Sequence, residues 1–133
     1  MDFGMFTDFH IRPHMTQAEA FDESFKQVEA AEQLGMDAVW LAEHHFSPDR
    51  SVLASPIVIA SSIATRTRRL RIGLAVQVLP LTNPLRLAEE AATVDHISKG
   101  RFDLGLGRSG LTKYYQGYNV PYDESRGRLL EAL

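Results

Sequence analysis

The chain has 133 residues, a formal net charge of -3, 44% hydrophobic residues and no cysteine. That length makes one domain the default, and the composition is that of a globular protein. There is no basic excess to serve a nucleic acid, no thiol for a disulfide or a thiolate metal site, and no run reaching the ~18 apolar residues of a membrane span.

The opening Met1-Asp2-Phe3-Gly4 lacks the basic and apolar regions of a signal peptide, so a cytoplasmic location is expected. Residues 3–9, FGMFTDF, predict a first strand. Pro13 then interrupts, and Thr16 and Glu19 have capping-box spacing, in which each side chain satisfies an N–H at the helix start. Phe21, Phe25, Val28, Ala31 and Leu34 recur on one helical face, and Gly35 follows as the residue past the helix end. A second strand, Ala38 to Ala42, ends in Glu43-His44-His45 and a polar loop through Arg50. Ser55-Pro56 supplies an N-cap and a proline at the first helical position. The basic cluster Thr65-Arg66-Thr67-Arg68-Arg69 reads as the solvated end of that helix, where cations suit the macrodipole. Residues 70–79, LRIGLAVQVL, form the third strand, and Asn83-Pro84 opens a third helix that stops at Lys99-Gly100. RFDLGLG is the fourth strand, and after a loop rich in glycine and tyrosine Asp123 caps a fourth helix.

Four strands at about 3–9, 38–43, 70–78 and 102–107, alternating with helices, define an α/β protein with a parallel sheet. The open possibilities are a doubly wound sheet and a TIM-type (β/α)₈ barrel. No G-x-G-x-x-G follows the first strand, so a dinucleotide site has no support. A barrel takes roughly 250 residues, and SRGRLLEAL reads as a helix beginning rather than finishing. The expectation is that residues 1–133 are the N-terminal half of a truncated barrel, about four of eight βα units. In the third strand Leu70, Ile72, Leu74, Val76 and Val78 share one face, while Gly73, Ala75 and Gln77 share the other. In the fourth, Phe102, Leu104 and Leu106 oppose Asp103, Gly105 and Gly107. The bulky faces are expected against the helices. The small faces point inward and leave room for a ligand.

Parallel barrels carry their sites at the C-terminal ends of the strands. Asp8, His10 and His14 follow strand one, Glu43, His44 and His45 follow strand two, Gln77 ends strand three, and Arg108 and Ser109 follow strand four. A histidine with an ordinary pKa of ~6.5 trades protons at neutral pH, so His44 at this lip suits acid–base work. Strand alternation turns His45 the other way, toward a structural role. His10 and His14 read as loop residues and Trp40 as a packed strand residue. Tyr114, Tyr115 and Tyr118 either line a substrate entrance or pack their loop. Arg108 offers a planar fork of donors suited to phosphate, beside Gly107 and Gly110, which admit an anion closely. A metal-dependent barrel hydrolase is the competing class, but neither H-x-H nor H-E-x-x-H occurs, and no metal ligands are assigned.

VWLAEHHF, VLPLTNPLRLAEEAATVDHISKGRFDLGLGRS and the opening MDFGMF together resemble the bacterial luciferase-like flavin monooxygenases. The resemblance runs from Phe3 to about Leu130 and is most specific over residues 78–108. It implies a (β/α)₈ barrel that binds reduced FMN, or in one branch a deazaflavin, in its mouth. It also implies that O₂ is captured as a flavin peroxide that oxidises a small organic substrate. Reduced flavin then comes from a separate NAD(P)H-dependent flavin reductase. By position, His44 matches the catalytic histidine and Arg108 an arginine near the flavin phosphate, joined by Ser109. Ala75 and Val76, followed by Gln77, match a non-proline cis peptide against the flavin ring. The light-emitting members have a reactive cysteine where this chain has Gly107, and alanine at both Ala75 and Val76. The match therefore implies oxygenation without implying light. A deazaflavin-dependent oxidoreductase, or a non-catalytic flavin-binding partner subunit, is the alternative. An open half-barrel implies a homo- or hetero-oligomer.

Overall fold

The computed structural model describes residues 1–133. Strands β1 (Gly4–Thr7), β2 (Ala38–Leu41), β3 (Arg71–Leu74) and β5 (Phe102–Asp103) form one parallel sheet in that order. The short strands β4 (Gln77–Val78) and β6 (Leu106–Gly107) pair in parallel beyond them. Helices α1 (Gln17–Gln33), α2 (Pro56–Arg66) and α3 (Pro84–Ser98) connect the units. The short α4 (Thr112–Gly117) and α5 (Ser125–Ala132) complete the chain. The strands thus keep chain order, as consecutive βα units of a barrel do.

The two long C-terminal strands expected from sequence are each broken. β3 and β4 are separated at Ala75–Val76, whose peptide is cis, as the resemblance implied. The fourth strand breaks at Leu104-Gly105, so Phe102 and Leu106 pack on the core while Leu104 is exposed. A period-2 pattern does not survive an interruption in the ladder, and alternation restarts after it. Gln77 is reset in the same way. It lines a cavity with Glu43, His45 and the helix residues Ile57 and Leu87, away from the inner face expected for it.

Several helix ends follow their sequence signals. Thr16 and Glu19 make the reciprocal capping box, Gly35 takes φ 90°, and Asn83 accepts from the N–H of Arg86. Others do not. Ser55 makes no side-chain cap, leaving Pro56 to open α2. Asp123 lies in a 3₁₀ turn, Tyr122–Glu124, rather than capping α5, and α4 was not anticipated. Leu34, expected on the buried face of α1, is the C-cap and 82% exposed. The helix continues its stripe for less than a turn beyond Ala31.

The core lies between the outer sheet face and the helices, where Val39, Leu41, Leu70, Ile72 and Leu74 meet Ile57, Ala60 and Ile63 of α2. Fully burying each such side chain contributes roughly 1.5–3 kcal/mol. The inner face is different. Trp40 lies flat over Gly73, where any Cβ would fall inside the indole, so the small residue there makes room for tryptophan rather than for a ligand. Further out, Phe6 on β1 is 62% exposed, as is Phe3 just before the strand.

The basic cluster after α2 is solvated at Arg66, Arg68 and Arg69, as expected, while its backbone is tied down. The Glu32 carboxylate accepts the N–H groups of Arg68, Arg69 and Leu70 at 2.7–3.2 Å. Burial opposes its charge, but these donors together hold its pKa below the usual value. Arg101 makes the junction complete. Its guanidinium donates to the carbonyls of Ala64, Thr67, Leu70 and Ser98 and to the Thr67 hydroxyl.

Candidate active site at the strand ends

Three strand ends converge. β2 runs on into Glu43-His44-His45, and alternation sends the neighbouring histidines to opposite sides. His45 is buried, with its Nε2 2.6 Å from Glu43 Oε1 and its Nδ1 3.2 Å from the Tyr118 hydroxyl. Glu43 Oε2 accepts the N–H of Val78 at 2.9 Å, so this pair fastens the end of β2 to β4. It is a structural latch, as the alternation argument expected for His45. Behind it lies a polar cavity of about 220 Å³, and the Oε1 of Gln77 is buried there without a partner.

His44 faces the other way. Its Nδ1 is 2.9 Å from the hydroxyl of Tyr114, and its Nε2 is 3.7 Å from the Asp8 carboxylate, which Arg50 also approaches at 3.5 Å. Its side chain is only 12% exposed. Burial, with the cations of Arg50 and Lys113, lowers its pKa below the ordinary value, although Asp8 pulls the other way. Tyr114 is raised, chiefly by burial, and remains a phenol. A cleft of about 420 Å³ opens beside them, lined by His44, Phe46, Arg50, Leu111, Lys113 and Tyr114 among others. A roomier hollow of about 490 Å³ lies between the 12–15 turn and the charged residues Glu19, Asp22, Glu23 and Lys26 of α1, and includes none of the residues just described.

Arg108 follows β6 and is exposed. It pairs with no carboxylate. Its Nη1 donates to Ser125 Oγ at 3.1 Å, and its guanidinium stands 5.4 Å from the Tyr122 ring. The Tyr115 hydroxyl donates to the Arg108 carbonyl and steadies its backbone. Ser109 has φ 61° and its Oγ accepts the N–H of Leu111, so its hydroxyl serves the turn. Val76 packs directly against Gly107, where a Cβ would overlap its methyls. Asp8, Tyr114, Lys113 and Ser125 were not singled out from sequence for these contacts. Their partners lie 17 to 70 positions away, beyond any local pattern. His10 instead makes an isolated antiparallel bridge with Ser51, and His14 lies in an exposed turn.

Residues 1–133 match the family described as luciferase-like monooxygenase. The chain is 34% identical to the alkanal monooxygenase alpha chain of Photorhabdus laumondii, over 95% of its own length and 35% of that protein's. It is 32% identical to the oxygenase component of flavin-dependent trigonelline monooxygenase from Acinetobacter baylyi, over 87% of this chain and 32% of the other. A crystal structure of a monooxygenase from Streptomyces bottropensis superposes with a TM-score of 0.92 at 32% identity, covering 99% of this chain and 40% of that one. The chain spans about a third of the length of these curated relatives.

Proposed function

This chain belongs to the luciferase-like monooxygenase family, and from that premise we propose that it forms the N-terminal half of the (β/α)₈ barrel of a flavin-dependent monooxygenase. The enzyme takes reduced FMN and O₂ and oxidises a small organic substrate. A separate reductase supplies the reduced flavin, an arrangement suggested by the relative whose name calls it an oxygenase component. The observation that carries the reading is His44. It is a nearly buried histidine with a lowered pKa, at a strand end beside a cleft, held between a carboxylate and a phenol.

The residues suit the cofactor. A flavin mononucleotide needs an anion site for its phosphate and an apolar border for its ring. Arg108 has no carboxylate partner and a planar fork of donors. Ala75 and Val76 are apolar and partly exposed at the strand break, whereas Gln77 beyond them faces the helix-side cavity and takes no part in the border. In this reading Arg108 and the backbone of the Ser109 turn hold the phosphate, while Ala75 and Val76 border the ring. Reduced flavin, when bound, supplies the electrons and activates O₂. His44 manages the proton at its exposed edge, and neighbouring Tyr114 and Asp8 keep it oriented. The buried Glu43–His45 latch keeps the ends of β2 and β4 in register, so that His44 and the ring border stay in fixed relation.

Rapid mixing of the protein and reduced FMN with oxygenated buffer, over a panel of aldehydes, ketones and carboxylated aromatics, tests the reading. Substrate-dependent oxygen uptake with a monooxygenated product is expected. Deazaflavin-supported turnover alone would assign the other cofactor branch, and inert binding of flavin would leave a passive subunit. The Arg108→Ala variant is expected to weaken FMN roughly 10- to 100-fold, the worth of charge-assisted hydrogen bonds. Riboflavin, which lacks the phosphate, should be little affected. Equal losses for both flavins would remove Arg108 from the phosphate site.

A further inference from the structure

His44 has two ring nitrogens, and its surroundings are asymmetric. On one side the Tyr114 hydroxyl lies 2.9 Å from Nδ1. On the other, the Asp8 carboxylate lies 3.7 Å from Nε2, too long for a direct hydrogen bond but close enough to favour a proton on the nitrogen facing it. An ionised carboxylate accepts and never donates, whereas a phenol does either. The two neighbours therefore select the same tautomer without conflict. We propose that Tyr114 is the positioning residue of His44: its O–H donates to Nδ1, which fixes the proton on Nε2 and presents a donor, not a lone pair, on the Asp8 side of the ring.

The surrounding charges agree with this assignment. Arg50 and Lys113 face His44 and disfavour a second proton, and burial acts in the same direction, so the ring remains neutral at neutral pH. Burial also keeps Tyr114 protonated and able to donate. Tyr114 is held firmly enough to act as a fixed partner: it is 1% exposed, and its ring meets His45 edge-on at 5.1 Å. Local sequence gives no sign of the pairing, since the two residues are 70 positions apart and α4 alone brings them together. The inference deepens the proposed role of His44. A histidine locked with Nε2–H gives a hydrogen bond to developing negative charge before it takes any proton. It therefore begins its work as a donor to an oxyanion rather than as a base.

The test is nitrogen-15 NMR of the protein labelled on histidine, with His44 signals assigned by their loss in His44→Gln. At pH 8 the wild type should show a protonated Nε2 and an unprotonated Nδ1 shifted by a hydrogen bond. A protonated Nδ1 would overturn the proposal. In Tyr114→Phe, Nε2 should keep its proton while the Nδ1 signal moves to the position of a free, unbonded nitrogen. An unmoved signal would show that the phenol does not donate there. Should Tyr114→Phe fail to fold, the wild-type tautomer alone still decides. In the turning-over enzyme the same variant should lower kcat about tenfold, the worth of one neutral hydrogen bond, with KM for flavin unchanged. The NMR result needs neither flavin nor turnover. A wrong tautomer therefore defeats this inference and leaves the monooxygenase reading standing, while absent turnover with the expected tautomer does the reverse.

Discussion

At the scale of single residues, His44 and its neighbour His45 divide the work by direction. His45 is tied into a buried latch with Glu43, and His44 stands at the cleft. Replacing His44 with alanine should slow turnover ~10²–10⁴-fold, the range of a lost acid–base group, with little change in flavin affinity. An unchanged rate under saturating reduced flavin would leave His44 structural. Its pKa is lowered on folding, so the unfolded chain binds the extra proton first. The associated stability is full above the ordinary value of 6.5 and is lost as pH falls through the lower folded value. His44→Gln should flatten that part of the stability profile, measured by urea unfolding between pH 5 and 8. A second residue pair is Val76 and Gly107, at the strand break. Val76 fills the space that a side chain at Gly107 would need. Gly107→Ala should therefore destabilise by about 1–3 kcal/mol through overpacking. Adding Val76→Ala should recover about 1 kcal/mol or more of that loss, a coupling read from a double-mutant cycle. Strictly additive effects would show that the two positions are independent.

At the scale of elements, the unit boundaries are held by side chains that reach across the sequence. Arg101 is the clearest case: one guanidinium satisfies carbonyls at the end of α2, the start of β3 and the end of α3. Helix C-termini leave such carbonyls without partners, and a forked donor serves several at once where a lysine serves few. Arg101→Lys should cost about 2 kcal/mol of stability with an unchanged dependence on denaturant. A loss below a few tenths would mean that solvent replaces these bonds freely. The motif Ser98-Lys99-Gly100-Arg101-Phe102 thus has a physical meaning. Lys99 and Gly100 turn the chain at φ 60° and 79°, Arg101 ties three elements together, and Phe102 re-enters the core.

At the scale of the whole molecule, the sheet has two sides of unlike character. Its outer face is covered by α1, α2 and α3, while the inner face leaves Phe6 exposed and β1 and β5 lie at the open edges, with Phe3 exposed just before β1. Open edges and clustered apolar surface favour association. The isolated 133-residue chain is therefore expected to self-associate at micromolar concentration. Light scattering should report a mass above the monomer, reduced by Phe6→Lys on the inner face. A monodisperse monomer with cooperative unfolding would show that four units suffice without cover.

The alternation of apolar runs and capped helices, legible along the chain, determined the α/β class, the parallel order and the positions of the candidate residues after each strand. These are consequences of local periodicity and capping, which need no distant partner. The tertiary structure alone decided the rest. The interruptions of strands three and four reset the facing of Gln77 and Leu104, because pleat alternation holds only within an unbroken ladder. The small residue at Gly73 proved to be a seat for Trp40, a contact between neighbouring strands. His44 acquired its two partners only when β1 and α4 were folded onto the end of β2, because a hydrogen bond between residues 70 positions apart leaves no trace in local pattern.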